Sequence, residues 1–283
     1  MTRHAPTVGW GILLGAAVAA SFGGLVVQLL FAAMAMGVVG MAHGASDLAI
    51  VKRQRRPSFL LLYILVSAVC LLWWTMYPGV ALPLFLAASA LHFGLEDAPS
   101  DHPIERVLRG ASLIATPATL HQAQLVRLLG LAGGMSELMP AFAAWLTVFG
   151  ALAATALLII GASRSDVRLI VGTTVLLILP PLVGFSVGFL ILHALPQTTT
   201  RSRQIGCTDS LAYFKVISPI LAVALVLLCL VGWALLRFDA TGVRSLFAGI
   251  AALAMPHLMV TPWFEGGQTG QAIILPHSVS VGS

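Results

Sequence analysis

Four histidines stand at or near the ends of apolar runs in this sequence: His43 in GMAHGASD, His92 in ALHFGLED, His193 in ILHALPQ and His257 in AMPHLM. An imidazole at the end of a membrane-length apolar run costs free energy unless something pairs or ligates it. Neutral imidazoles suit iron, zinc, copper and nickel. Four of them on different helices are what a metal site inside a helical bundle requires, since each facing helix can supply one inward ligand. Ligating imidazoles usually donate their second nitrogen to a carboxylate or carbonyl. Asp47, one helical turn past His43, and Glu96 and Asp97, just past His92, are candidates for that supporting role. A single histidine near a helix end is more often interfacial or simply hydrogen-bonded; a shared depth on four helices is what sets these apart. His4, His102, His121 and His277 fall in loops, at a surface-helix start or in the tail, and are left out of the set.

The composition dictates the elements that must position them. Of 283 residues, 59% are hydrophobic and 9% charged, with a mean hydropathy of +0.98. No soluble domain carries such a surface. Long unbroken apolar runs exclude a barrel, which shows short alternating strands. The expected fold is all-α, a polytopic transmembrane helical bundle with length for roughly eight to ten segments at about 20 residues each. It would form a single membrane-embedded catalytic domain over 1–263, with a flexible tail over 264–283. The opening MTRHAPTVGWG lacks a small-residue cleavage site and reads as a retained first helix. Cys70, Cys207 and Cys229 have neither the number nor the spacing of a disulfide framework or thiolate metal site. The net charge of +5 resides in short loops, where the positive-inside rule accounts for it without a nucleic-acid partner.

In order, 8–22 and 25–42 read as two segments meeting at Gly23-Gly24, with one long helix as the rival. The cluster Lys52, Arg53, Arg55 and Arg56 marks a cytoplasmic loop. Segment 58–77 runs outward to an aromatic set, Trp73, Trp74 and Tyr77, suited to an interface; 80–93 returns with His92. Segment 107–120 runs outward again, and the stretch from His121 has the pattern of an interfacial helix. Segment 141–162 returns, and 169–195 is split at Pro180-Pro181, which cannot both continue a helix. Segments 217–236 and 243–263 complete ten. Twelve of the 15 Lys and Arg residues then lie inside, and His43, His92, His193 and His257 all fall in the cytoplasmic half. Without the Pro180-Pro181 break, His193 and His257 would lie on the opposite side.

These residues resemble the Brp/Blh type membrane β-carotene 15,15′-dioxygenases. The resemblance rests on His43-Gly44-Ala45 with Asp47, on His92-Phe93-Gly94 with Asp97, on the motif starting at His193 and on Pro256-His257; Thr116–Leu129, with Pro117 and His121, is a weaker match. It spans about residues 40 to 260. It implies a non-haem Fe2+ held by His43, His92, His193 and His257, and cleavage of β-carotene by O2 at its central double bond to give two retinal. It also implies a multi-pass protein of a bacterial or archaeal inner membrane, in contact with membrane lipid and functionally linked to a microbial rhodopsin. Phe85, Phe93, Phe185, Phe189 and Trp263 are candidates for lining a carotenoid tunnel, although each alone is more commonly core or lipid-facing.

One position departs from the family. Its later motif usually reads HSxRH; here Pro196 and Gln197 take the arginine and second histidine positions, and glutamine is a far weaker ligand for ferrous iron. Either the four histidines suffice, with Gln197 as a catalytic group bonding water or dioxygen, or the protein binds carotenoid or retinal at an altered site without turnover. A transporter using intramembrane His and Asp residues is a further alternative, but it calls for repeat symmetry that the sequence lacks. A di-iron desaturase needs several HxxxH boxes, and none is present.

Overall fold

The computed structural model describes residues 7–98, 102–237 and 239–265. His4, His277 and all of the expected tail beyond Glu265 lie outside them. Among the described residues all regular structure is helical, the form in which a lipid-embedded backbone satisfies its own hydrogen bonds. Seven stretches are long and apolar enough to cross a membrane: Leu25–Ile50, Arg53–Met76, Pro78–Asp97, Met139–Arg164, Pro181–Gln204, Ser210–Leu235 and Val243–Phe264. Gly9–Ser21 and Val167–Ile178 are shorter apolar helices.

Helix α1 (Thr7–Ser21) turns at Gly23 into α2 (Leu25–Met34), so the two-segment reading of the first apolar region holds. The chain then leaves regular α geometry. A wide π turn over Ala35–Val39 is followed by tight 3-10 turns over Gly40–Ala42 and Gly44–Ser46, with His43 between them, before α3 (Asp47–Ile50). Helix α4 (Arg56–Met76) and α5 (Pro78–Asp97) each begin with proline in the first turn, where the missing N–H has no helical partner to lose.

Helix α6 (Pro103–Gly133) crosses α5 very closely. A Cβ on Gly94 would collide with the Arg106 carbonyl, and one on Gly110 with that of Ala90, so only glycine permits this backbone approach. At His121 the φ/ψ pair of −128°/35° kinks α6. The expected interfacial helix after it is instead the second half of α6, with Leu125, Leu128 and Leu129 buried in the core. His121 Nε2 donates to the Ile178 carbonyl at 2.9 Å.

Helix α7 (Met139–Arg164) passes through Ser165 in a left-handed turn to α8 (Val167–Ile178), which Asp166 caps by accepting from Leu169 N at 3.0 Å. The chain breaks at Pro180-Pro181, as their chemistry requires, and resumes as α9 (Pro181–Phe189). A second π turn over Leu190–Ala194 leads into α10 (Leu195–Gln204). Asp209 caps α11 (Ser210–Leu235) through Ala212 N at 2.8 Å, and α12 (Val243–Glu265) is the last element. Trp74, expected at an interface, points inward onto Phe85 with ring centroids 5.8 Å apart.

Candidate metal centre

The four histidines converge. Their ring centroids form a closed circuit: His43 to His193 at 5.1 Å, His193 to His92 at 5.2 Å, His92 to His257 at 5.3 Å and His257 to His43 at 5.2 Å, each pair edge-on. His43, His193 and His257 are buried and His92 nearly so.

Two of the four are brought in by irregular backbone. His43 occupies the break in the Leu25–Ile50 stretch, and His193 lies within the π turn after α9. Such turns rotate the following side chains off the regular helical face. Two hydroxyls hold the first break. Tyr213 Oη donates to the Ala42 carbonyl at 2.8 Å, and Ser46 Oγ donates to the His43 carbonyl at 2.5 Å. His92 sits on α5, and His257 follows Pro256 on α12. Tyr63 Oη of α4 donates to the Leu253 carbonyl one turn before His257, at 3.2 Å.

The carboxylates are shared out across the fold rather than along the chain. Asp47 does not support its neighbour His43; its Oδ2 lies 2.6 Å from His257 Nδ1 and also accepts from Thr261 Oγ1 at 2.8 Å. Asp97 reaches His193 Nδ1 with both oxygens at 3.0 Å. Glu96 stays with His92, its Oε2 3.5 Å from Nε2. Ligand atoms of His92, Glu96 and His193 all lie within 4.8 Å of one another, a group able to hold a metal ion.

The donor set fits a metal of imidazole and carboxylate preference. His43 Nδ1, His92 Nε2 and His257 Nε2 are buried without a hydrogen-bond partner among the described residues. Buried polar atoms are normally satisfied, and a cation between the rings would satisfy these. With Nδ1 of His193 and of His257 taken by aspartates, the nitrogen of each left to hold a metal is Nε2, and its ring orientation is fixed. Gln197 is not part of the ring. Its Nε2 is 3.4 Å from Asp97 Oδ1 and 3.4 Å from the Glu96 carbonyl, so it stands behind the carboxylate that orients His193.

The ring opens onto an apolar cavity of about 250 Å³. Phe85, Phe93, Phe185 and Phe189 line it. Trp263 does not; it is 81% exposed, six residues past His257 on an outward face of α12. Phe93 and Phe189 also pack on His193, with centroids at 4.8 and 5.3 Å. Three residues that position the site went unread in the sequence: Tyr63, Tyr213 and Thr261. The last had a visible signal, since it follows His257 by one helical turn.

The family model for beta-carotene 15,15′-dioxygenase matches residues 34–265, most of the chain and every residue of the ring. No curated protein and no solved structure matches. The chain belongs to the beta-carotene 15,15′-dioxygenase family.

Proposed function

We propose that this member of the beta-carotene 15,15′-dioxygenase family holds one ferrous iron in the four-histidine ring and cleaves β-carotene at its central double bond. The observation that carries the reading is the ring itself, with three buried imidazole nitrogens that lack a hydrogen bond among the described residues, facing an apolar cavity. In the overall reaction the double bond is broken and each of its two carbons gains one atom of O2, giving two retinal. When bound, the iron would supply the activation of dioxygen that a spin-paired polyene cannot achieve by itself.

The protein's own residues do the rest. His43, His92, His193 and His257 would hold the metal, with Glu96 within reach at the rim. Asp47 and Asp97 accept from Nδ1 of His257 and His193 and keep both Nε2 lone pairs turned inward. Phe93 and Phe189 pack against His193, where they exclude water and present a flat apolar wall to a polyene. Gln197 favours no loss of the site, because the ring closes through His257 without it. The basic residues Lys52, Arg53, Arg55, Arg56, Arg201 and Arg203 lie at the histidine end of the helices, which supports a cytoplasmic position for that end by the positive-inside rule.

Expression in β-carotene-producing bacteria tests this reading. Cells should lose carotene colour and accumulate retinal. Persistent carotene with no retinal, despite confirmed expression, would overturn it in favour of carotenoid binding without turnover.

A further inference from the structure

The longer part of the cavity runs from the ring in one direction. On α12 its lining extends from Leu246 to Leu258, with His257 next to last; on α9 and the π turn it extends from Pro181 to His193, with the histidine last; on α5 from Phe85 to Phe93, with His92 next to last. The ring therefore lies toward one end, with Gly44, Ala45, Asp47 and Leu48 after His43, and Phe59 of α4, lining the short space beyond it. The other end is closed by Leu125, Leu128 and Leu129 of the second half of α6, Leu146 of α7, and Leu246 and Phe247 of α12, which pack together in one cluster. The kink at His121 belongs to the helix that brings these α6 leucines in.

The only exposed residue among the described lining residues is Leu60 of α4, at 41%. Its neighbours fix its height. Phe59 packs with Val260 and Phe264, and Tyr63 bonds the Leu253 carbonyl, so Leu60 stands level with His257. The lining thus reaches the outer, lipid-facing surface beside the ring at Leu60, and Ile220 and Ala224 of α11 also line the cavity.

We propose that the closed chamber gauges one half of a linear polyene, and that its depth, set by Leu129, Leu146 and Leu246, decides which double bond stands at the ring. This rests on the dioxygenase reading above. His257 and Leu246 are eleven residues apart on α12, about 16 Å at ~1.5 Å per residue. An extended chain of carbon-type bonds advances about 1.2 Å per bond, so the chamber takes roughly a dozen bonds. That is the reach of β-carotene from its central bond across one end ring. The half beyond the ring of histidines leaves beside Leu60 into lipid.

Product analysis of purified Leu246→Trp and Leu246→Ala, with metal content and thermal midpoint as checks of assembly, tests the gauge. Wild-type protein should give retinal as its dominant aldehyde, with unequal pairs at trace level. In Leu246→Trp the chain halts early, and in Leu246→Ala it slides deeper. Each variant should raise the yield of unequal aldehyde pairs, one shorter and one longer than retinal, by about tenfold or more, the discrimination that one or two methylenes of misfit give. Unequal pairs still at trace level in a variant that turns over would overturn the gauge. If Leu246→Trp assembles without turnover, Leu246→Ala decides alone. Absence of any aldehyde from the wild type would overturn the dioxygenase reading itself, and the gauge with it.

Discussion

His257 and Asp47 lie 210 residues apart in the sequence and 2.6 Å apart in the structure, Nδ1 to Oδ2. Both are buried, and Thr261 donates to the same oxygen. This contact ties the broken Leu25–Ile50 stretch to the last helix, so it couples the assembly of the bundle to the orientation of the His257 ring.

Asp47→Ala leaves His257 Nδ1 buried and unpartnered. Removing one member of a buried pair costs about 3 kcal/mol or more, and loss of such support lowers metal affinity 10- to 100-fold. Thermal unfolding in detergent and competition with a chromogenic chelator measure the two effects. Wild-type affinity in the variant would show that Asp47 does not orient a ligand.

Gln197→Ala is expected to change little. Its two contacts are 3.4 Å long, at the weak end for hydrogen bonds, and neither reaches the ring. Iron content should stay at the wild-type value and stability should fall by under ~1 kcal/mol. Loss of the metal on this substitution would instead make Gln197 a ligand.

Tyr213→Phe removes the hydroxyl that satisfies the Ala42 carbonyl at the break. A buried acceptor left without its donor costs about 1–3 kcal/mol. The thermal midpoint should fall accordingly, and metal affinity with it, because the residue next in sequence is His43. An unchanged midpoint would mean that the break holds its shape without this bond.

Asp239, in the loop before α12, supplies a pH dependence outside the ring. Partial burial works against its ionised form, but donors from Ser245 and Thr241 outweigh it and hold the carboxyl below its ordinary value. A lowered folded value means that the stabilisation is complete above the unfolded value, near 3.9, and is lost as pH falls through the folded one. Unfolding followed from pH 6 downward should show stability declining below about pH 4, and the decline should be shallower in Asp239→Asn. Parallel curves for the two proteins would contradict this.

Much of the frame was legible in the sequence. Apolar run lengths and loop charges gave a helical membrane bundle, and Pro180-Pro181 gave a real break whose consequence, His193 at the same end as the other histidines, the structure bears out. The pairing of acids to histidines was not legible. Asp47 follows His43 by the spacing of one helical turn, yet the chain between them is 3-10 rather than α, which rotates the carboxylate away from His43 and toward α12. Trp263 read as a tunnel residue because it is aromatic and near His257, but the phase of α12 turns it outward. Trp74 read as interfacial because tryptophan favours headgroups, and tertiary packing on Phe85 took it inside. The leucines after His121 look amphipathic in isolation; only the close crossing of α5 and α6 shows that their apolar face closes the cavity.

The central claim is that one iron in the four-histidine ring is what carotene cleavage depends on. The most direct measurement is retinal formation by purified, metal-stripped protein titrated with ferrous iron in the presence of β-carotene and O2, alongside His43→Ala. Activity should rise from nothing to a plateau at one iron per chain, and His43→Ala should form no retinal at any iron concentration. Retinal from the metal-stripped protein, or an unaltered titration in His43→Ala, would contradict the claim.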